Sequence, residues 1–222
     1  MEEKEIRSQT KYHKIYTIFD RNKDFKVIEG VINPKLIGIE NIKGFIVSEK
    51  IDGTNCGIIL TPEKEILVRK RSDIIKDDKQ HHHYFEAIKD IDIQKIKDYF
   101  ADSNSLITIF GEACGKGIQK QGETYSEKPT FRLFDIKCGN SFFGWNDLVD
   151  FSKSTGIPLV KWFKFEGKNV LDYNYWLNLL KEVNKKKYVE GYVIRSRPAL
   201  LNKFSTRMIF KIKLKDFENE KK

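Results

Sequence analysis

No stretch of this 222-residue chain approaches the ~20 consecutive apolar residues that a membrane-spanning helix requires. The charged start, Met1-Glu2-Glu3-Lys4-Glu5, offers nothing like the apolar segment of a signal peptide. The expected location is therefore intracellular: the cytoplasm, or the host cytoplasm if the protein is viral, with no membrane partner. Cysteine is scarce. Cys56, Cys114 and Cys138 are odd in number and widely scattered, which argues against a disulfide framework and gives no metal-ligand spacing. They read as small core or site-wall residues. Acidic charge is in deficit, with 32 Asp and Glu against 41 Lys and Arg, leaving a formal charge of +9 that favours a polyanionic partner. No proline-rich linker, internal repeat or composition shift divides the sequence, so a single domain over 1–222 is expected.

Short β-type runs dominate: 45–50, 55–60, 66–70, 106–110, 131–136, 159–165, 189–195 and 208–212. Helical spacing is found over 83–100, over 146–153 with Asn146 as N-cap and Gly156 as terminator, and over 170–183. Strands interleaved with these helices predict an α+β fold with mostly antiparallel sheets. Most of the chemically suggestive clusters fall at strand ends or in the turns that leave them, positions that can surround a cleft.

The first cluster is Glu49-Lys50-Ile51-Asp52-Gly53-Thr54-Asn55. An amine ordinarily titrates near ~10.4, so a nucleophilic lysine needs phosphates, a metal or other cations around it to favour its neutral form. Alone, Asp52-Gly53 between two apolar runs also reads as a hairpin turn. Val68-Arg69-Lys70-Arg71-Ser72 follows a strand; it is either a solvated edge or places Arg71 to fork onto a phosphate or ribose. In the run from Ile109 to Lys120, Glu112 ends an apolar strand before glycines and can accept hydrogen bonds from ribose hydroxyls. Phe134, before Asp135-Ile136, is a face for a purine or a core residue. Farther on, Glu190-Gly191-Tyr192-Val193 supplies a carboxylate suited to Mg²⁺. Period-2 alternation places Lys211 and Lys213 on one strand face, either as the solvated charges of an exposed strand or opposite a polyphosphate.

Taken in order, these six clusters resemble the covalent nucleotidyltransferase superfamily of polynucleotide ligases and mRNA capping enzymes, and within it ATP-dependent RNA ligases of the phage RNA ligase 2 type. The resemblance runs from about Lys11 to Phe217. It implies an ATP-grasp-like ligase adenylation domain with sheets flanking a nucleotide cleft. It also implies an RNA ligase that joins 3′-hydroxyl and 5′-phosphate ends through a lysyl-AMP intermediate, with ATP and Mg²⁺ or Mn²⁺ as cofactors and RNA ends or nicked duplex as partner. Carried over, Lys50 is the nucleophile, with Lys211 and Lys213 assisting catalysis. Glu49, Ile51, Asn55, Arg71, Glu112, Phe134, Glu190, Lys211 and Lys213 contact the nucleotide, Glu190 holds the metal, and Asp52 supports.

Arg195 stands where relatives often have lysine. Little sequence follows Lys213, whereas relatives commonly carry an OB or helical module there, so a minimal ligase, a fragment or a chain with a partner clamp all remain open. His81-His82-His83 are consecutive, a spacing that rarely converges on one ion, and read as an exposed loop or helix start. A GTP-using capping enzyme and a catalytically silent RNA-binding module stay open as alternatives.

Overall fold

The computed structural model describes residues 2–202 and 204–217. The five residues after Phe217, part of the short C-terminus noted above, lie outside the described residues. The fold is α+β, and its sheets are almost wholly antiparallel. The chain divides into two compact units: residues up to His13 together with Asp52–Val160, and Lys14–Ile51 together with Lys161 onward.

The first unit holds a six-stranded antiparallel sheet. Its order is Ser141–Phe142, Thr130–Cys138, Ile107–Cys114, Thr54–Leu60, Ile66–Lys70 and Ile74–Ile75. Apolar alternation explains the layering. Ile58, Ile109, Phe131, Leu133 and Ile136 are buried against Leu148 and Phe151 of helix Trp145–Thr155, and against Tyr84 and Ile88 of helix His82–Ile88. One continuous helix over 83–100 does not form. The Asp92 carboxylate accepts the backbone N–H groups of Gln94 and Lys95 and caps a separate helix, Ile93–Tyr99. Ile91 and Ile93, which depart from the helical spacing of the apolar residues over 83–100, sit at that break. Helix Trp145–Thr155 starts after Gly144 rather than Asn146 and ends, as expected, at a left-handed Gly156.

The second unit holds a five-stranded sheet in the order Tyr16–Thr17, Ile209–Lys213, Gly191–Ser196, Gly44–Lys50 and Trp162–Glu166, with only the first pair parallel. Phe45, Val47, Ile194, Phe210 and Ile212 pack on Trp176 and Leu180 of helix Tyr173–Lys186. That helix begins later than 170 because Asp172 caps it.

The hairpin reading of Asp52-Gly53 fails. Strand Gly44–Lys50 pairs on its two edges with Gly191–Ser196 and Trp162–Glu166. Strand Thr54–Leu60 pairs with Ile66–Lys70 and Ile107–Cys114. Neither strand has an edge left for the other, so the turn joins two sheets.

Candidate active site

In the five-stranded sheet, register assembles a basic face. Gly191 is the cross-strand partner of both Lys50 and Lys213, so Lys213, Gly191 and Lys50 form one row. Two residues along, Lys211, Val193, Ser48 and Trp162 form the next. Directly opposed residues share a sheet face, which puts the three ammonium groups on the side away from the apolar core. Gly191 is needed in this row: a Cβ there would run into the Ile212 carbonyl and the Lys213 backbone.

Glu190 precedes this glycine, and its carbonyl accepts the Leu214 N–H at 3.1 Å. Its carboxylate, only 14% exposed, pairs directly with Lys50 Nζ. Burial pushes the Lys213 ammonium down from its ordinary range to about 8, opposed by the Asp216 carboxylate 3.9 Å away. Lys211 is also lowered, first by burial and then by the Lys50 and Arg21 charges. Asp216, 5% exposed, accepts a 2.7 Å bond from Arg21 and so organises this cluster as well. The sequence reading missed both residues. The signal for Asp216 was its spacing, three residues after Lys213 on the 3₁₀ turn Leu214–Asp216; Arg21 carries no local signal.

Among the other expected residues, Ile51 is buried at the end of the Lys50 strand. Glu49 alternates to the opposite sheet face, where it pairs in register with Tyr192. Its side chain therefore does not join the three lysines. Arg195 lies on the lysine face, two residues beyond Val193, and is buried.

The six-stranded sheet places a second set. Asn55, Glu112 and Arg132 oppose one another across three strands. Gly53 lets the preceding turn close onto this row, since a Cβ there would lie 2.7 Å from Glu112 Cγ. The Asp52 N–H is held by Tyr125 Oη at 3.1 Å. Between the pairs Gly111↔Leu133 and Phe110↔Asp135 the register shifts, leaving Phe134 as the extra residue of a β-bulge. Such a bulge re-aims a side chain. Phe134 is half-buried, while its neighbours Leu133 and Asp135 are completely covered. Its ring meets Tyr12 edge-on at 5.2 Å and 77°. Tyr12 in turn donates to the buried Asp135 carboxylate at 2.7 Å, an interaction across 123 residues that no local pattern announces.

Arg71 is exposed on the bend after strand Ile66–Lys70. The turn carrying it is fixed from beneath by Arg69, 1% exposed. Arg69 donates to the Lys70 and Arg71 carbonyls at 3.2 Å each and to Thr10 Oγ1 at 2.5 Å. Cys56 and Cys114 are buried and Cys138 partly so. Burial, and then the Glu112 charge, push the Cys56 thiol upward, so it stays protonated. The histidine run lies at the start of helix His82–Ile88, with His81 hydrogen-bonded to Asp78 and Lys70.

A lysine paired with a carboxylate, flanked by two lysines on the same sheet face, is an arrangement for receiving a polyphosphate. The family model for RNA ligase matches residues 43–213, which span this face and the Asn55, Arg71, Glu112 and Phe134 positions. The chain belongs to the RNA ligase family. Solved RNA ligases share the fold. An archaeal ATP-dependent RNA ligase superposes with a TM-score of 0.60 at 15% identity, over 93% of this chain and 49% of its own. A mutant Naegleria gruberi RNA ligase with ATP and Mn gives 0.62 at 17% identity, over 93% and 63%. Another Naegleria gruberi mutant, with AMP and Mn, gives 0.62 at 16%, over 91% and 60%. This chain thus spans about half the length of the archaeal protein and about three-fifths of the Naegleria ones. A search of curated protein sequences returned no match.

Proposed function

We propose that this member of the RNA ligase family is an ATP-dependent ligase, similar in its motifs to the phage RNA ligase 2 type, that joins RNA 3′-hydroxyl and 5′-phosphate ends. The observation that carries this reading is the row Lys213, Gly191, Lys50 with Glu190 paired to Lys50. Three lysines on one face, offset only in part by Glu190 and Asp216, suit a polyanion. Lys50 sits at a strand end, where its amine can reach a bound phosphate.

In the proposed sequence, Lys50 Nζ attacks the ATP α-phosphorus. The nitrogen–phosphorus bond forms as the α–β bridging bond breaks, and Lys211 and Lys213 neutralise the departing pyrophosphate. An RNA 5′-phosphate oxygen then takes the AMP from Lys50, and finally a 3′-hydroxyl displaces AMP to leave a phosphodiester. Asn55 and Arg71 contact the adenylate, Glu112 accepts from the ribose, and Phe134 stacks on adenine. Glu49 and Ile51 contribute through the backbone around Lys50. A divalent ion fits the hard carboxylate of Glu190, which is mostly covered and already engaged with a cation; Mg²⁺ or Mn²⁺ there would neutralise phosphate charge.

Residues 1–222 are taken to work as one adenylyltransferase domain, with affinity for RNA resting largely on the +9 charge and with room for a partner that clamps the duplex. Incubating the protein with a divalent metal, ATP or GTP, and 5′-phosphorylated nicked or single-stranded RNA tests the reading. Joined RNA with ATP is expected. Preferential labelling by GTP would favour a capping-type enzyme, and RNA binding without any nucleotide transfer would favour a silent module.

A further inference from the structure

Beneath the edge strand Trp162–Glu166 lies a cavity of about 240 Å³ that the nucleotide chemistry does not use. Phe163 and Tyr192 wall it, their rings 6.0 Å apart at 85°. Glu49, Lys161 and Lys187 bring charge to it, and Trp162 borders it. The volume is below the about 300–1,000 Å³ of pockets that enclose a whole small-molecule ligand. A single ring system fits; a nucleoside triphosphate does not. The strand above is unusual for a sheet edge, because Trp162 and Phe163 are 37% and 38% exposed between exposed Lys161 and Lys164. At the other wall stands Lys187, directly after helix Tyr173–Lys186, whose last turn carries Lys185 and Lys186. Aromatic faces interleaved with lysines match a chain whose flat rings alternate with phosphates. The cavity opens on the sheet face opposite the three lysines, because Glu49 and Tyr192 alternate away from Lys50 and Phe163 opposes Val47.

Resting on the ligase reading, we propose that this cavity receives one unstacked nucleobase of the RNA substrate, with Lys161 and Lys187 on the flanking phosphates. Phe163 and Tyr192 hold the ring, and the Glu49 carboxylate accepts from an exocyclic amino group. The base would thus anchor the strand through contacts that ATP does not share.

The test compares binding of a 5′-phosphorylated RNA oligonucleotide, in the absence of ATP, with self-labelling by ATP in wild type, Phe163→Ala, Val183→Trp and Lys187→Glu. Val183 also lines the cavity, and a Trp there fills it. Phe163→Ala and Val183→Trp should each weaken RNA binding roughly tenfold, within the range of one base stacked on an aromatic ring, while ATP labelling stays within about twofold. Lys187→Glu should weaken RNA binding and flatten its salt dependence. Unchanged RNA affinity in Val183→Trp and Lys187→Glu overturns the proposal even if Phe163→Ala fails to fold. So do a parallel loss of ATP labelling and displacement of the RNA by adenosine alone, which would mark a mononucleotide site. If wild type does not label with ATP at all, the ligase reading fails, and the RNA comparison still decides the fate of the cavity.

Discussion

Phe134 discriminates between a nucleotide platform and a core residue. The Phe134→Ala change removes a half-buried ring at a bulge, one of whose contacts is the edge of Tyr12 at 5.2 Å. An edge contact of that kind contributes about 0.5–1.5 kcal/mol beyond the apolar area it covers, and half-burial of the ring adds about 1 kcal/mol, so folding stability should fall by about 2 kcal/mol. Phe131, three residues earlier on the same strand and 1% exposed, is a true core ring. Its truncation should cost about 3–5 kcal/mol. If the Phe134 face stacks on adenine, its loss should weaken ATP binding by ~1–3 kcal/mol, or roughly 5- to 140-fold at about 1.4 kcal/mol per decade. Phe134→Leu, which keeps apolar bulk, should lose less. Titration calorimetry with ATP beside urea unfolding separates the two quantities. Unchanged ATP affinity in Phe134→Ala, with a stability loss as large as that of Phe131→Ala, would refute the stacking argument.

Three further outcomes are expected. Lys213 is lowered to about 8 in the fold against an ordinary 10.5, so between those values the unfolded chain holds a proton that the folded chain has lost, and stability rises with pH across that window. Over the same window ATP must bring a proton back to Lys213, so binding near about pH 9 should show proton uptake in buffers of differing ionisation enthalpy; no uptake, or undiminished uptake in Lys213→Met, would contradict this. Arg69→Met leaves two turn carbonyls without their donor and should destabilise the fold by about 1–3 kcal/mol, with Arg69→Lys rescuing little because the fork is lost; a urea midpoint equal to wild type would sink the idea. RNA joining should collapse with added salt while self-labelling by ATP persists, since phosphate contacts dominate the former; parallel loss of the two would indicate a separate grip on the duplex.

The strands were the most legible part of the molecule because each carries its own apolar alternation; the predicted 66–70 run forms over those residues. The helices were less so. Capping by Asp92 and Asp172 decides where they begin, and an aspartate in a charged sequence does not announce itself as a cap. The Asp52-Gly53 turn misled because turn chemistry is local, whereas the pairing of Lys50 and Thr54 with other strands is not. At the candidate site, Lys50, Glu190, Lys211 and Lys213 were visible as an ordered set of short motifs; strand register gathers the three lysines on one side of a sheet, and Glu190 joins them through its pair with Lys50. Tyr12, Arg69 and Arg21 were not, since each acts through a partner far away in sequence. Glu49 shows the limit of reading a motif as a string: neighbours in a strand point to opposite faces, so its carboxylate and the Lys50 ammonium part company.

The central claim is that Lys50 is the group that carries the nucleotide, and peptide mapping of the protein after exposure to ATP and a divalent metal tests it most directly. A single acid-labile AMP adduct on Lys50, absent from Lys50→Ala, is the result expected. Undiminished labelling in Lys50→Ala, or an adduct mapped to Lys211 or Lys213, would contradict the account.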